Sequence, residues 1–328
     1  MQVLRSHAGV PPELMGCAIA IGNFDGVHRG HQAVLAKAKA IATGLGAGVG
    51  ALLFDPHPRQ YFNPGVALFT LTPLDYKLQL LQALSLDLAA VLPFDAAMAA
   101  MPAEDFVRQV LVDGFGIRHA VIGYDFQFGN DRTGTPELMR SLGSTHGFGV
   151  TVAEEAGDGT APFSSSRIRQ LLREGRVRAA AEVLGHWWRV IGPVVGGAKR
   201  GTGMGFPTAN LALAPGQALG HGIYAVWAHV GGARHPAAAY HGTRPTFDNG
   251  ASLLEVFLLE YHGDLYGREI EVELIEFIRE DRAFDSVELL IQQMNLDCVA
   301  ALKHLHEVAR DDPMARYPIG AWRRAQHP

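Results

Sequence analysis

Two histidines three residues apart, His28 and His31, close the segment IGNFDGVHRGH (Ile21–His31). An imidazole donates an N–H to a phosphate oxygen, and a donor or cationic ring there stabilises charge building on a leaving pyrophosphate. The segment follows an apolar run, CAIAI (Cys17–Ile21), that reads as a buried strand, and it leads into HQAVLAKAKAIAT (His31–Thr43), which reads as a helix. Gly22, Gly26 and Gly30 let backbone approach a ligand closely. A helix N-terminus adds unpaired N–H groups and the positive end of a dipole, so the whole unit reads as an anion cradle. H-x-x-H spacing also suits a metal, although no third ligand stands nearby, and the plain alternative is a pair of histidines in a surface turn.

Three further segments of the first half carry polar chemistry. SSSRIR (Ser164–Arg169) sets three hydroxyls before a helical pattern, so one caps the helix and the others face an anion. Arg169 offers phosphate a planar fork; alternatively, Arg169, Arg173 and Arg176 form an ordinary solvated helix face. GYDFQFGNDRTG (Gly123–Gly134), with Asp125 and Asn130, reads as a loop that packs on a flat ring and hydrogen-bonds to it, or else as an aromatic turn feeding the core. FDPHPR (Phe54–Arg59) presents His57 and Arg59 from a proline-locked backbone, or is simply a rigid turn at a strand end.

The second half has its own cluster. GPVVGGAKRGTGMGFPTANL (Gly192–Leu211) is glycine-rich, but Phe206 breaks a G-x-G-x-x-G pattern and the Lys-Ser/Thr of a Walker loop is absent. Thr208 and Asn210 stand two residues apart, on one side of an extended chain, and offer hard oxygen ligands suited to Mg²⁺ on phosphates. The alternative is an edge strand that starts at Pro207. Glu255, in LLEVFLLEY, alternates with apolar neighbours. Facing a pocket, it accepts the proton of an attacking hydroxyl; facing water, it is an ordinary strand carboxylate.

The elements that must position these groups change character midway. Strand-like runs at 17–21, 49–54, 88–92 and 119–122 alternate with helical patterns at 31–43, 74–84 and 103–112, which predicts crossover connections and a parallel sheet. Helical pieces at 167–173 and 178–184 end at Gly185. Short β-type runs follow at 188–195, 222–230, 237–240, 253–261 and 269–277, and a helical pattern spans 286–309, which predicts an antiparallel barrel or sandwich closed by a helix. The 328 residues thus divide near Gly185–Trp188, into 1–186 and 187–328. Charge splits evenly: 15 Lys+Arg against 17 Asp+Glu in the first part and 13 against 16 in the second, so neither is a basic nucleic-acid module. No apolar run reaches the ~18 residues that span a bilayer, and Pro11-Pro12 interrupts the stretch where a signal peptide needs apolar residues. Cys17 and Cys298 are too few for a disulfide framework, which points to a reducing cytoplasm. A homo-oligomer is left open.

GNFDGVHRGH resembles the histidine motif of the nucleotidyltransferase superfamily and, with FDPHPR, GYDFQFGNDRTG and SSSRIR in order, that of the prokaryotic bifunctional riboflavin kinase/FAD synthetase family. GFPTANL, HGTRPTF, LEVFLLEYHGDLYG and IREDRAFDS resemble its kinase module. The resemblance implies an α/β plus all-β chain: a Rossmann-like nucleotidyltransferase domain with a parallel sheet, then an antiparallel β-barrel flanked by a C-terminal helix. It implies ATP-dependent conversion of riboflavin to FMN, with Glu255 as general base and Thr208 and Asn210 holding Mg-ATP, and then of FMN to FAD, with His28, His31, Ser165 and Arg169 in catalysis. It also implies nucleotide or flavin contacts from Gly22, Asn23, Phe24, Asp25, Gly30, His57, Arg59, Asp125, Asn130, Ser164 and Ser166, and from Lys199, Gly201, Gly205, Arg279 and Phe284 in the second module. The implied partners are riboflavin, FMN and ATP, with no nucleic acid or membrane. Three positions depart from the family pattern: Ser166 and Leu53 where Thr is usual, and His241 where an aliphatic residue is usual. Two other readings stand beside this one, a nucleotidyltransferase for a different phosphorylated molecule and a flavin-binding regulator on an enzyme scaffold.

Overall fold

The computed structural model describes residues 1–196, 206–243 and 252–326. By packing, the chain divides into two compact units, residues 1–68 with 72–164, and residues 69–71 with 165–328.

The first unit is built on six strands: β1 (Gln2–Leu4), β2 (Ala18–Ile21), β3 (Val49–Asp55), β4 (Leu88–Pro93), β5 (His119–Gly123) and β6 (Gly149–Ala153). All pair in parallel, in the order β1-β4-β3-β2-β5-β6. Strand-by-strand alternation with helices predicted this arrangement. β1, β6 and the helix Pro136–His146 between β5 and β6 were outside the expectation. Continuous apolar runs make the central strands: every residue of β2 is buried, because helices cover both faces of a parallel sheet. Phe106, Val107, Val110 and Leu111 pack on it from Phe106–Gly114, a wide-turned helix in which the Phe115 N–H reaches back five residues to Val110 O at 3.1 Å.

From β2 the chain moves outward through β3 and β4, then returns to the other side of β2 for β5. Strand order therefore reverses between β2 and β5. In an open parallel sheet a crevice forms at the carboxyl ends of the strands at such a reversal. The motifs after β2, β3 and β5 all leave the sheet at that edge.

In the second unit β7 (Arg189–Val195), β8 (Ala209–Ala212), β9 (Gly222–Val230), β10 (Ala233–Thr243), β11 (Ser252–Leu258) and β12 (Glu269–Arg279) close an antiparallel barrel in the order β10-β11-β8-β7-β12-β9. Closure removes free edges. It also corrects the reading of PTAN as an edge strand: β8 is paired on both sides, with β7 and with β11. β10 runs well beyond the expected 237–240, since Pro236 and Gly242 mask its pattern but not its pairing with β9 and β11. The helix Val287–Arg310 is capped by the Ser286 hydroxyl, which accepts from the Leu289 N–H at 3.2 Å. Its Ala301, Leu305 and Val308 join Trp187, Trp227 and Ile275 in one core. Burial raises the Glu273 pKa, but Arg189 and His229 outweigh it and hold the carboxyl below the usual range; both Arg189 Nε and Nη2 donate to Glu273.

Candidate functional site

β2 ends at Ile21, and the helix Arg29–Leu45 starts eight residues later, with His28 as its N-cap. Between them Phe24 (φ 49°) and Val27 (φ 43°) both adopt the left-handed region, which side chains with a Cβ avoid. Such residues cost about 1–3 kcal/mol each and persist only where the surroundings over-determine them. The restraints are visible. Phe24 and Val27 are fully buried. The Gly26 N–H donates to Thr72 Oγ1 (3.0 Å), the Thr72 N–H to Asp25 Oδ1 (3.2 Å), and Gln32 Nε2 to Val27 O (2.9 Å). Burial is complete enough that Asp25 and His28 are only 3% and 6% exposed.

The two imidazoles stack, with centroids 3.6 Å apart and planes 23° from parallel, and the Phe24 ring meets His31 edge-on at 5.3 Å. His28 Nδ1 accepts the His31 backbone N–H at 3.3 Å, so a neutral His28 carries its proton on Nε2. His57 repeats the device one strand over. It caps the short helix Pro58–Phe62 through Nδ1, which accepts the Arg59 N–H at 3.1 Å. Each cap bond thus fixes a tautomer that presents Nε2–H, a phosphate donor. His31 is different: burial first, then the neighbouring His28 and Lys77, push its pKa well below the ordinary imidazole value, so it is neutral at pH 7. The cationic form weighed from sequence does not apply to it; the donor form does. His31 Nδ1 and Asn23 Oδ1 are buried polar atoms with no hydrogen-bond partner among the described residues.

Gly30 earns its place by contact. A Cβ there would lie 3.0 Å from His28 Cε1, 3.1 Å from its Nδ1 and 3.1 Å from Phe163 O. Gly30→Ala should therefore tilt the His28 ring and lower the nucleotidyl-transfer rate on the order of tenfold or more, since small misplacements of a donor are costly. A transfer rate equal to wild type in a steady-state assay would refute that fit.

Beyond β5, the Phe128 N–H and O pair with Gly134 and close the 128–134 loop. Phe128 is buried against Phe106 and stacks on Phe126 at 5.5 Å, so its ring feeds the core, whereas Asp125 is exposed and Asn130 half-buried. The serine motif divides: Ser164 belongs to the first unit, and Ser165, Ser166 and Arg169 to the second, in the helix Ser165–Arg173. Arg169 is buried and its Nε donates to Phe69 O at 2.5 Å, which takes that nitrogen out of a phosphate fork.

In the barrel, Glu255 of β11 lies directly opposite Asn210 of β8, so their side chains share a face. Alternate residues Leu211, Leu254 and Val256 are buried on the other face. On the first face Phe206 meets Phe257 edge-on at 5.0 Å, and Asn210 is 4% exposed. Thr208 is half-buried two residues before Asn210. The amide and carboxylate oxygens of Asn210 and Glu255 on one face, with the Thr208 hydroxyl two residues earlier in the chain, are oxygen donors of the kind that suits Mg²⁺, which takes few protein ligands and the rest from phosphates and water. No cluster of three His, Cys, Asp or Glu suited to a metal occurs among the described residues. Arg279 is held by Asp297, Nε to Oδ1 at 2.9 Å and Nη2 to Oδ2 at 2.7 Å, with its guanidinium 5.8 Å from the Phe284 ring centre. Lys199, Gly201 and Gly205 lie outside the described residues.

Sequence reasoning missed Lys77, Thr72 and Asp297. Lys77 falls in register with Leu80 and Leu81, and Asp297 with Ala301 and Leu305. A charge standing inside an apolar helical stripe was the available signal.

An α/β sheet with imidazoles at its reversal point, followed by a barrel with hydroxyl, amide and carboxylate donors, defines a two-part phosphate-group transferase. A FAD synthetase family model matches residues 10–167, and a riboflavin kinase family model matches 184–305. A Pseudomonas fluorescens protein named bifunctional riboflavin kinase/FMN adenylyltransferase is 36% identical over 302 residues, covering 92% of this chain and 97% of the relative. Proteins of the same name from Escherichia coli K12 (36% identity, 87% and 92% covered) and Haemophilus influenzae (34%, 92% and 98%) also match. This chain belongs to the bifunctional riboflavin kinase/FMN adenylyltransferase family. A solved Streptococcus pneumoniae structure, titled a macrolide-efflux protein, matches with a TM-score of 0.79 at 25% identity, over 94% of this chain and 98% of that one. That likeness supports the fold, and the efflux of its title stays with that protein. No helix among the described residues is long and apolar enough to cross a membrane.

Proposed function

We propose that the two reactions of this bifunctional enzyme are divided between the sheet and the barrel. In the barrel, the 5′-hydroxyl of riboflavin attacks the γ-phosphorus of ATP, its proton passes to the Glu255 carboxylate, and FMN and ADP leave. At the sheet, a phosphate oxygen of FMN attacks the α-phosphorus of a second ATP, giving FAD and pyrophosphate. His28 and His31 donate N–H groups to oxygens whose charge grows in that step. Neither step needs a covalent enzyme intermediate.

The observation that carries this division is the placement of the stacked His28–His31 pair in one unit and the paired Asn210–Glu255 in the other. Thr208 and Asn210 would hold Mg²⁺, which supplies charge neutralisation of the ATP phosphates when bound. We set the boundary of activities at 186/187; the family models leave 168–183 between them. The two thiols, Cys17 and Cys298, are both free, which supports a cytoplasmic setting.

The test is chromatography of flavins after incubation with ATP and Mg²⁺. Riboflavin should yield FMN and then FAD, FMN alone should yield FAD, and a chelator should stop both, with activity restored by excess Mg²⁺. Riboflavin that binds but stays unconverted would favour the regulator. Conversion of another phosphorylated acceptor, with FMN untouched, would favour a different nucleotidyltransferase.

A further inference from the structure

Lys77 belongs to none of the motifs, yet it is the lysine most deeply placed near the histidine turn. It stands in the first turn of the helix Leu74–Ala83 and is 7% exposed. Its Nζ donates to Asn23 O at 3.0 Å. A buried ammonium is unfavourable unless opposite charge and hydrogen bonds surround it. Burial lowers the Lys77 pKa, while Asp25 of the turn and Asp55 at the end of β3 act in the opposite direction and support the charge. The groups that face it are therefore Asp25, Asp55, the Asn23 carbonyl and the imidazole of His31.

The turn it touches is the one that holds Phe24 and Val27 in left-handed backbone. Left to itself, such a turn would relax and carry the histidines with it. Three hydrogen bonds reach it from one other stretch of chain: Thr72 ties Gly26 and Asp25, and Lys77, five residues on, ties Asn23. The stretch 72–77 thus grips the turn at three points, Asn23, Asp25 and Gly26, from outside it.

We infer that Lys77 is a positioning residue for adenylyl transfer: its ammonium holds the Asn23 carbonyl, and through it the turn that sets His28 and His31. The inference rests on the assignment of FAD formation to the sheet unit. A second effect follows from the same placement. The cation beside His31 disfavours a proton on that ring and so keeps it a neutral donor. A lysine that only stapled the fold would do neither of these things selectively.

The experiment compares wild type with Lys77→Met, which keeps length and removes charge. Both are assayed for FAD formation from FMN and for FMN formation from riboflavin, with the second reaction as the internal measure of folding. Lys77→Met should lower kcat for FAD formation on the order of tenfold, leave KM for FMN within about twofold, and leave the kinase rate unchanged. The acid limb of its kcat/KM profile should move to higher pH, because loss of a neighbouring cation lets His31 bind a proton more readily. Wild-type kcat with an unmoved profile overturns the inference. So does a parallel loss of both activities with a lowered Tm, which marks a fold staple. Lys77→Arg covers the case in which the methionine variant does not fold: it keeps the cation and displaces it, so kcat should fall while the acid limb stays put, and a wild-type kcat overturns the inference again. Wild-type enzyme that makes no FAD at all would instead refute the division of activities.

Discussion

Glu255→Ala should lower FMN formation from riboflavin by about 10²–10⁴-fold, the range for loss of a positioned general base, while FAD formation from supplied FMN stays at the wild-type rate. β11 pairs with β8 so that Glu255 meets Asn210, and Val256 meets Ala209 on the opposite face. A slip of one residue would turn Glu255 to the face of Leu254 and Val256 and bury its charge there. The pairing on β11's other side agrees, since Tyr240 of β10 is the partner of Glu255. Glu255→Gln sharpens the test. It keeps the size and one hydrogen-bonding oxygen, so a packing role survives it, but an amide takes no proton. Equal losses in the two variants identify a base. A glutamine variant near wild type, read by the same flavin chromatography, would show that Glu255 only binds or packs.

The sequence made the strand–helix alternation of the first unit legible because each element there is built from local pattern: buried apolar runs for strands, 3.6-residue periodicity for helices. The proximity of the two histidines is local as well, since the cap residue His28 and His31 in the first turn of its helix are neighbours in the chain. What stayed hidden depends on contacts between distant residues. PTAN reads alike as an edge strand or an inner one, and only closure of the barrel, with β7 and β11 on its two sides, settles it. β10 carries Pro236, His241 and Gly242 within one strand, and its pairing with two neighbours overrides those local signals. His241, unusual in sequence, is buried, and its Nδ1 lies 3.0 Å from Gly220 O. Lys77 and Asp297 stand inside apolar helical stripes, but the partner of each, Asn23 O or Arg279, comes from elsewhere in the chain and no local pattern names it. Arg279 was expected at the flavin on resemblance, and its bidentate tie to Asp297 shows what fixes its orientation.

His28→Ala should reduce FAD formation from FMN by about 10²–10³-fold, the range for one lost donor to developing charge, with the riboflavin kinase rate intact. The substitution removes three things at once. It deletes the Nε2–H donor, the Nδ1 that caps the helix Arg29–Leu45, and the ring on which His31 stacks. Loss of an N-cap costs about 0.5–2 kcal/mol of helix stability, so a modest drop in Tm is expected and is not itself the result. His28→Asn separates the parts, because asparagine caps a helix well but cannot place a donor at the distance of Nε2. If the donor matters, the asparagine variant recovers Tm and stays inactive in adenylylation. Recovery of activity together with Tm would mean that His28 serves the helix end alone, and the transition-state donor would have to be sought in His31, whose burial already keeps it neutral at the pH of the reaction.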